Sequence, residues 1–160
     1  MQRDLNNAMR RAITFAIGVL LLCAVAIPGH ATTITVTNTN DSGPGSLRQA
    51  HADANDGDTI EFAVTGTIGL TSGELLVARS IMIAGPGAEN LAVNGNAKSG
   101  VFHVTGGNVT ISGLTVTNGN ASGIQCGGGI YNDHSTVTVN NSTISGNVAN
   151  QGGESATMVR

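Results

Sequence analysis

A 28-residue spacing of apolar residues constrains this chain more than any other feature of its sequence. Ile81, Val109 and Val137 recur at that interval, as do Ile83, Ile111 and Val139. Phe102 pairs with Ile130, Val116 with Ile144 and Gly85 with Gly113, whereas Leu91 and Val93 have no counterpart at this offset. Apolar pairs at fixed phase, separated by turn residues, mark a solenoid, in which each repeat buries its apolar face against its neighbours. Within one repeat, Val109-Thr110-Ile111 sets two inward residues around an outward one. Ser112-Gly113 then allows a bend, Leu114-Thr115-Val116 supplies a second short strand, and Asn118-Gly119 turns again. Such runs are too short to stand alone. Coiled, they form parallel sheets whose hydrogen bonds go to the next layer, and Val/Ile columns fill the interior.

Residues 58–153 are therefore expected to be all-β, a parallel solenoid of about four coils. The part from Asp58 to Ser80 follows the pattern with looser phase: Ile60 and Phe62, Ile68 and Leu70, and Leu75 and Val77 are i, i+2 pairs between Gly66, Gly69 and Gly73. Asn118, Asn120, Asn140, Asn141 and Asn147 fall at bends, where asparagine tolerates left-handed backbone and stacks on asparagine in the next layer. Residues 32–57 read as a cap. Thr32 to Thr39 alternates as a strand, Asn40 to Gly45 is a turn, and Ser46-Leu47-Arg48-Gln49 has the form of a capping box. The short helix that follows places Leu47, Ala50 and Ala54 on one face, with His51 at its edge, and Asn55-Asp56-Gly57 ends it.

The segment 1–31 reads as a cleavable signal peptide. Arg3, Arg10 and Arg11 precede the uncharged run Ala12 to Ile27, and Pro28-Gly29 ends it. Gly29 and Ala31 are small residues at the positions an export peptidase needs, so cleavage is expected after Ala31. The apolar run is shorter than the ~20 residues that span a bilayer, so no stable membrane span is expected after cleavage. Removal of this segment takes Cys23 and leaves Cys126 as the lone thiol, without a disulfide partner. It also leaves four Lys+Arg against nine Asp+Glu, a formal charge of −5. With no basic stripe to neutralise phosphates, nucleic acid is not an expected partner. Clustered Val, Ile and Thr argue against intrinsic disorder, and the 2% aromatic content rules out a thick aromatic core.

Thr35 to Ala50 resembles the N-terminal cap, of the CSLREA type, found in exported right-handed parallel β-helix proteins of bacteria, the pectin-lyase-like superfamily in the broad sense. The cysteine of that cap is absent here. Gly127-Gly128-Gly129-Ile130-Tyr131-Asn132 and Ser142-Thr143-Ile144-Ser145-Gly146-Asn147 are similar to the coil phrases of the same family. The resemblance implies a right-handed parallel β-helix on a secreted or cell-surface protein, adhesin-like or, more distantly, active on polysaccharides. Gln151-Gly152-Gly153 starts another such phrase, but residues 154–160 leave the pattern, so the chain reads as a truncated or frameshifted member. An uncapped last coil would expose its columns and strand edges, which favours end-to-end self-association.

The residues offer little catalytic machinery. No metal-ligand spacing, phosphate loop or calcium repeat is present, and no catalytic, cofactor-binding or metal residue is assigned. Asp56, Asp58 and Glu61 are the carboxylates on which polysaccharide chemistry would have to rest, since glycosidases need a pair flanking the bond. Asp133 and His134 read as solvated turn residues, as does His103, which the 28-residue register sets near Tyr131. Arg79 and Glu74 read as a surface ion pair. The expected function is an exported, non-enzymatic surface for adhesion, with a cell-surface glycan or an envelope protein as partner. A polysaccharide lyase or hydrolase with an incomplete site is the alternative.

Overall fold

A computed structural model describes residues 30–121, 127–149 and 158–159. The segment 1–29, Cys126 and most of the tail lie outside the described residues. The chain folds as a parallel β-solenoid of about four coils with one short helix, α1 (Leu47–Asp53), among the described residues. Strand β1 (Thr33–Val36) and α1 lead into coil 1, made of β2 (Thr59–Phe62), β3 (Gly66–Gly69) and β4 (Leu75–Val77). Coil 2 holds β5 (Met82–Ala84), β6 (Leu91–Asn94) and β7 (Phe102–Val104). Coil 3 holds β8 (Asn108–Ser112), β9 (Thr115–Thr117), β10 (Asn120–Ala121) and β11 (Ile130–Asn132). Coil 4 holds β12 (Thr136–Asn140), β13 (Ser142–Ser145) and β14 (Val148–Ala149), and β15 (Met158–Val159) follows.

Stacking gives three long sheets: sheet A is β1-β2-β5-β8-β12, sheet B is β3-β6-β9-β13-β15, and sheet C is β4-β7-β11; a short pair, β10-β14, completes the set. Every pairing is parallel except β13 with β15, where Ser142 meets Val159 and Thr143 meets Met158 antiparallel. The interior is a set of columns. Ile60, Ile83 and Ile111 stack in sheet A, Ile68, Val93 and Val116 in sheet B, and Leu75 and Phe102 in sheet C, all fully buried.

The 28-residue period holds between coils 2 and 3 in sheets A and C but not in sheet B. Ile83 stacks on Ile111 and Phe102 on Ile130, both at the full period, while Val93 stacks on Val116, a step of only 23. The bend between β5 and β6 is five residues longer than that between β8 and β9, and the stretch from β9 to β11 is five longer than that from β6 to β7. The two insertions lie at different corners, so the coils keep equal total lengths while one sheet slips. This is why Leu91 and Val93 lack a partner at 28. Between coils 1 and 2 the pairs Ile60 with Ile83, Ile68 with Val93 and Leu75 with Phe102 step by 23, 25 and 27, which accounts for the looser phase there.

Two further expectations change at the cap. Strand β1 stops at Val36 instead of reaching Thr39, because the Thr37 and Asn38 amides both donate to the Gly45 carbonyl, at 2.9 and 3.2 Å. Only half of the capping box forms: Ser46 Oγ accepts from the Gln49 amide at 3.2 Å, but the Gln49 side chain donates to Asp53 Oδ1 at 2.8 Å. The Ser46 amide already donates to Gly43 O, so no donor is left for Gln49 to satisfy. A helix of seven residues is not stable by itself; burial of Leu47, Ala50 and Ala54 against the end of the solenoid holds it.

Of the asparagines expected at bends, Asn120 and Asn140 lie instead on β10 and β12, while Asn118 and Asn141 are left-handed (φ 53° and 48°), and Asn118 donates to Asn94 Oδ1 of the coil below at 3.1 Å. Asn147 has a different part. It is buried, its Oδ1 accepts from the Gly119 amide at 2.8 Å and its Nδ2 donates to Val116 O at 3.0 Å, so it stitches coil 4 to coil 3.

Candidate functional site

The outward side chains of sheets A and B are mostly Thr, Ser and Asn, as on β8, β9, β12 and β13. Sheet C differs. Its outward column is Leu76, His103 and Tyr131, set in line by the register of β4, β7 and β11. Leu76 is 54% exposed, the most open of the large apolar side chains in the first three coils. The His103 and Tyr131 rings lie 4.7 Å apart, tilted by 37°. Together they form a ledge of one aliphatic and two aromatic groups across three layers.

The ledge is held from the cap side by a line of polar contacts. Asp41 accepts from Arg48 Nη2 at 2.9 Å, from the Thr71 hydroxyl at 2.9 Å and from the Ser72 amide at 2.8 Å. Burial would raise its pKa, but the bonds from Ser72, Arg48 and Thr71 outweigh it and hold the carboxyl well below the usual range. Arg48 in turn donates to the Gly73 and Glu74 carbonyls, at 2.6 and 3.0 Å, and so fixes the bend that carries Glu74. Glu74 Oε1 meets His103 Nδ1 at 3.0 Å, while His103 Nε2 is buried with no hydrogen-bond partner among the described residues. Beside Leu76 a shallow cavity of about 160 Å³ is lined by His51, Ala52, Leu76, Ala78 and Arg79. Burial, then the charges of Arg79 and Arg48, lower the His51 pKa and favour the neutral ring.

The residues expected from sequence sort differently. His51 does sit half-buried at the edge of the helix stripe. His134 is a solvated turn residue, with a side chain 95% exposed against Asp133. His103 is not: it lies on β7, largely covered, which corrects the turn assignment. Glu74 turns to His103, and Arg79 donates to the Ala54 carbonyl. The carboxylates Asp56, Asp58 and Glu61 are not brought to one place. Asp56 accepts from the Ser80 amide at 2.8 Å, and Glu61 points out from β2. Asp58, only 2% exposed, accepts from the Asn55 amide at 2.7 Å and from the amide and hydroxyl of Thr32 at 2.7 and 2.9 Å. It ties the entering strand to the end of the helix, and no group of three metal-ligating side chains occurs among the described residues. Nor is any described helix long and apolar enough to cross a membrane.

Asp58 gives a pH-dependence with a defined sign. The bonds from Asn55, then Thr32, lower its pKa in the folded chain. Its contribution is therefore present above the unfolded value of about 3.9 and is lost as pH falls through the lower folded value. Asp58→Asn is expected to lower the urea midpoint at pH 7 and to lessen its decline below about pH 4. Identical midpoint-against-pH curves for variant and parent would remove Asp58 from this part. Asp41 has the same sign, so some acid sensitivity remains in the variant.

Sequence reasoning reached His103 and Tyr131 through the 28-residue register but passed over Leu76 and paired Glu74 with Arg79 instead of His103, which Leu76 and Glu74 precede at offsets of 27 and 29. The Asp41–Arg48 pair spans a turn and a helix start, a spacing with no periodic signal. The chain matches no known family model, and no curated protein or solved structure is significantly similar to it.

Proposed function

We propose that this chain is an exported, adhesin-like β-helix protein that binds a neutral cell-surface glycan on the outer face of sheet C. The supporting observation is the Leu76–His103–Tyr131 column, an apolar and aromatic ledge on a fold whose other outward rows are mostly hydroxyl and amide groups, with Met82 and Glu61 as exceptions. Sugar rings have apolar faces that pack on such side chains, and their hydroxyls find partners in polar groups at the margin. In this reading the segment 1–31 directs export and is cleaved after Ala31, and the chain belongs with the pectin-lyase-like β-helix proteins whose cap and coil phrases it resembles.

Sedimentation with insoluble neutral polysaccharides, followed by a panel of soluble glycans, tests the reading. Tyr131→Ala and Leu76→Ser are each expected to weaken binding at least tenfold, and both positions are outward, so the interior stays filled. Unchanged binding in both variants would refute the ledge as the contact. A second reading, a polysaccharide lyase or hydrolase, draws on the Glu74 carboxylate beside the His103 imidazole, an acid and a base 3.0 Å apart. Release of unsaturated or reducing sugar by the parent chain, lost in Glu74→Gln, would favour it over binding alone.

A further inference from the structure

We propose that two copies of this chain associate tail to tail, with β12 of one pairing antiparallel to β12 of the other about a two-fold axis at Thr138. Strand β12 is the last strand of sheet A among the described residues. The Thr136 amide donates inward, to Gly107 O of coil 3 at 3.2 Å, and Asn140 O accepts from the Gly113 amide at 3.1 Å. Backbone groups alternate along a strand, so the N–H and C=O groups of Val137 and Val139 point away from the solenoid. Edges of this kind are normally blunted by charge, proline or a bulge. The run Thr-Val-Thr-Val-Asn has none of these, and no ionisable residue occurs anywhere in 135–149.

The strand is complementary to itself in one register. Centred on Thr138, antiparallel pairing sets Val137 opposite Val139 of the second copy and Thr136 opposite Asn140. Val137 and Val139 are the residues whose amides face outward, so they form the hydrogen-bonded pairs, and Thr138 faces Thr138 in the closer, non-bonded pair. Opposed side chains lie on the same face, so the half-buried valines of both copies continue one interior column. Asp133, the nearest described charge, lies five residues from the axis in each copy. The two carboxylates are then about 30 Å apart by strand rise and are screened.

The alternatives at this edge fit less well. The edge of sheet B is already taken by β15. Stacking head to tail would pair β12 with β1, the other outer strand of sheet A, and lay coil 4 on the cap, where α1 presents Gln49, Ala52 and Asp53 to solvent. That contact is also heterologous and would grow without closing, whereas the two-fold contact ends at a dimer.

Cysteine cross-linking of the full chain, in a background with Cys23→Ala and Cys126→Ala, tests the register. Opposed residues in the non-bonded pair have Cβ atoms about 4.5–5.5 Å apart, close to what a disulfide bridges. Thr138→Cys is expected to give a disulfide-linked dimer in oxidised glutathione, at least tenfold more than Thr136→Cys, whose two copies fall far from each other. Thr138→Lys, on the solvent face, is expected to raise the dimer dissociation constant at least tenfold at low salt, with partial recovery at high salt. Equal cross-linking at both positions or at neither, a monomer at every concentration, or a growing series of oligomers in sedimentation would each overturn the proposal.

Discussion

Phe102→Ala is expected to cost about 3–5 kcal/mol of unfolding free energy, the range for deleting a buried aromatic side chain. Phe102 is the largest fully buried side chain among the described residues and stands between Leu75 below and Ile130 above in sheet C. The loss bears on the contacts of coil 2 with both neighbours, and a solenoid is stabilised by these nearest-neighbour terms. Single domains hold only about 5–15 kcal/mol in total, so the variant is expected to be near the limit of folding at 25 °C. Urea titration followed by circular dichroism measures the change, with Phe102→Leu as a milder control. A cost under about 1 kcal/mol for Phe102→Ala, well below the range for such deletions, would mean that this column does not organise the core.

Gly113→Ala is the second large effect, expected at about 3 kcal/mol from left-handed strain of about 1–2 and overpacking of about 1–3. The backbone there is left-handed, φ 62°, and a methyl group would lie 2.5 Å from Gly85 O in the coil below. Gly85 in turn has no room for a side chain, since its Cβ would strike Gly113 O. The recurring pair Gly85 and Gly113 is thus one contact, where consecutive coils touch backbone to backbone at the corner after sheet A. Gly146 separates the two causes: its φ is 65°, but a methyl there meets only Thr117 Oγ1 at 3.4 Å. Gly146→Ala should cost about 1 kcal/mol, the strain alone. Equal losses at both positions, measured by thermal and urea unfolding, would show that close approach of the coils is not what Gly113 provides.

The behaviour in acid follows from three groups with one sign. Asp41 and Asp58 have lowered carboxyl pKa values, so their stabilisation fades as pH falls below the ordinary carboxylate range. His51, lowered from 6.5 by burial and then by Arg79 and Arg48, takes up a proton less readily when folded than when unfolded. Its contribution is complete above about pH 6.5 and declines as pH falls towards the lower folded value. All three lie in or against the cap, so acid is expected to loosen the N-terminal end of the solenoid before its middle coils.

The repeating valines and isoleucines by themselves determined the solenoid. A residue that must face inward at each layer has to recur at the length of a coil, and that period is written in Ile83 and Ile111 or Phe102 and Ile130. The Ser46 cap and the Leu47, Ala50, Ala54 stripe were legible for the same reason, because helix periodicity and capping act over a few residues. Only the tertiary structure decided where the five-residue insertions fall, since a coil's length can be kept while its bends exchange residues; sheet B therefore steps by 23 between coils 2 and 3, which leaves Leu91 and Val93 outside the 28-residue period. It alone drew Glu74 and Leu76 to His103 and Tyr131, and Asp41 to Arg48. Those contacts join bends and strands of different layers, and a bend side chain has no fixed phase from which a partner can be counted.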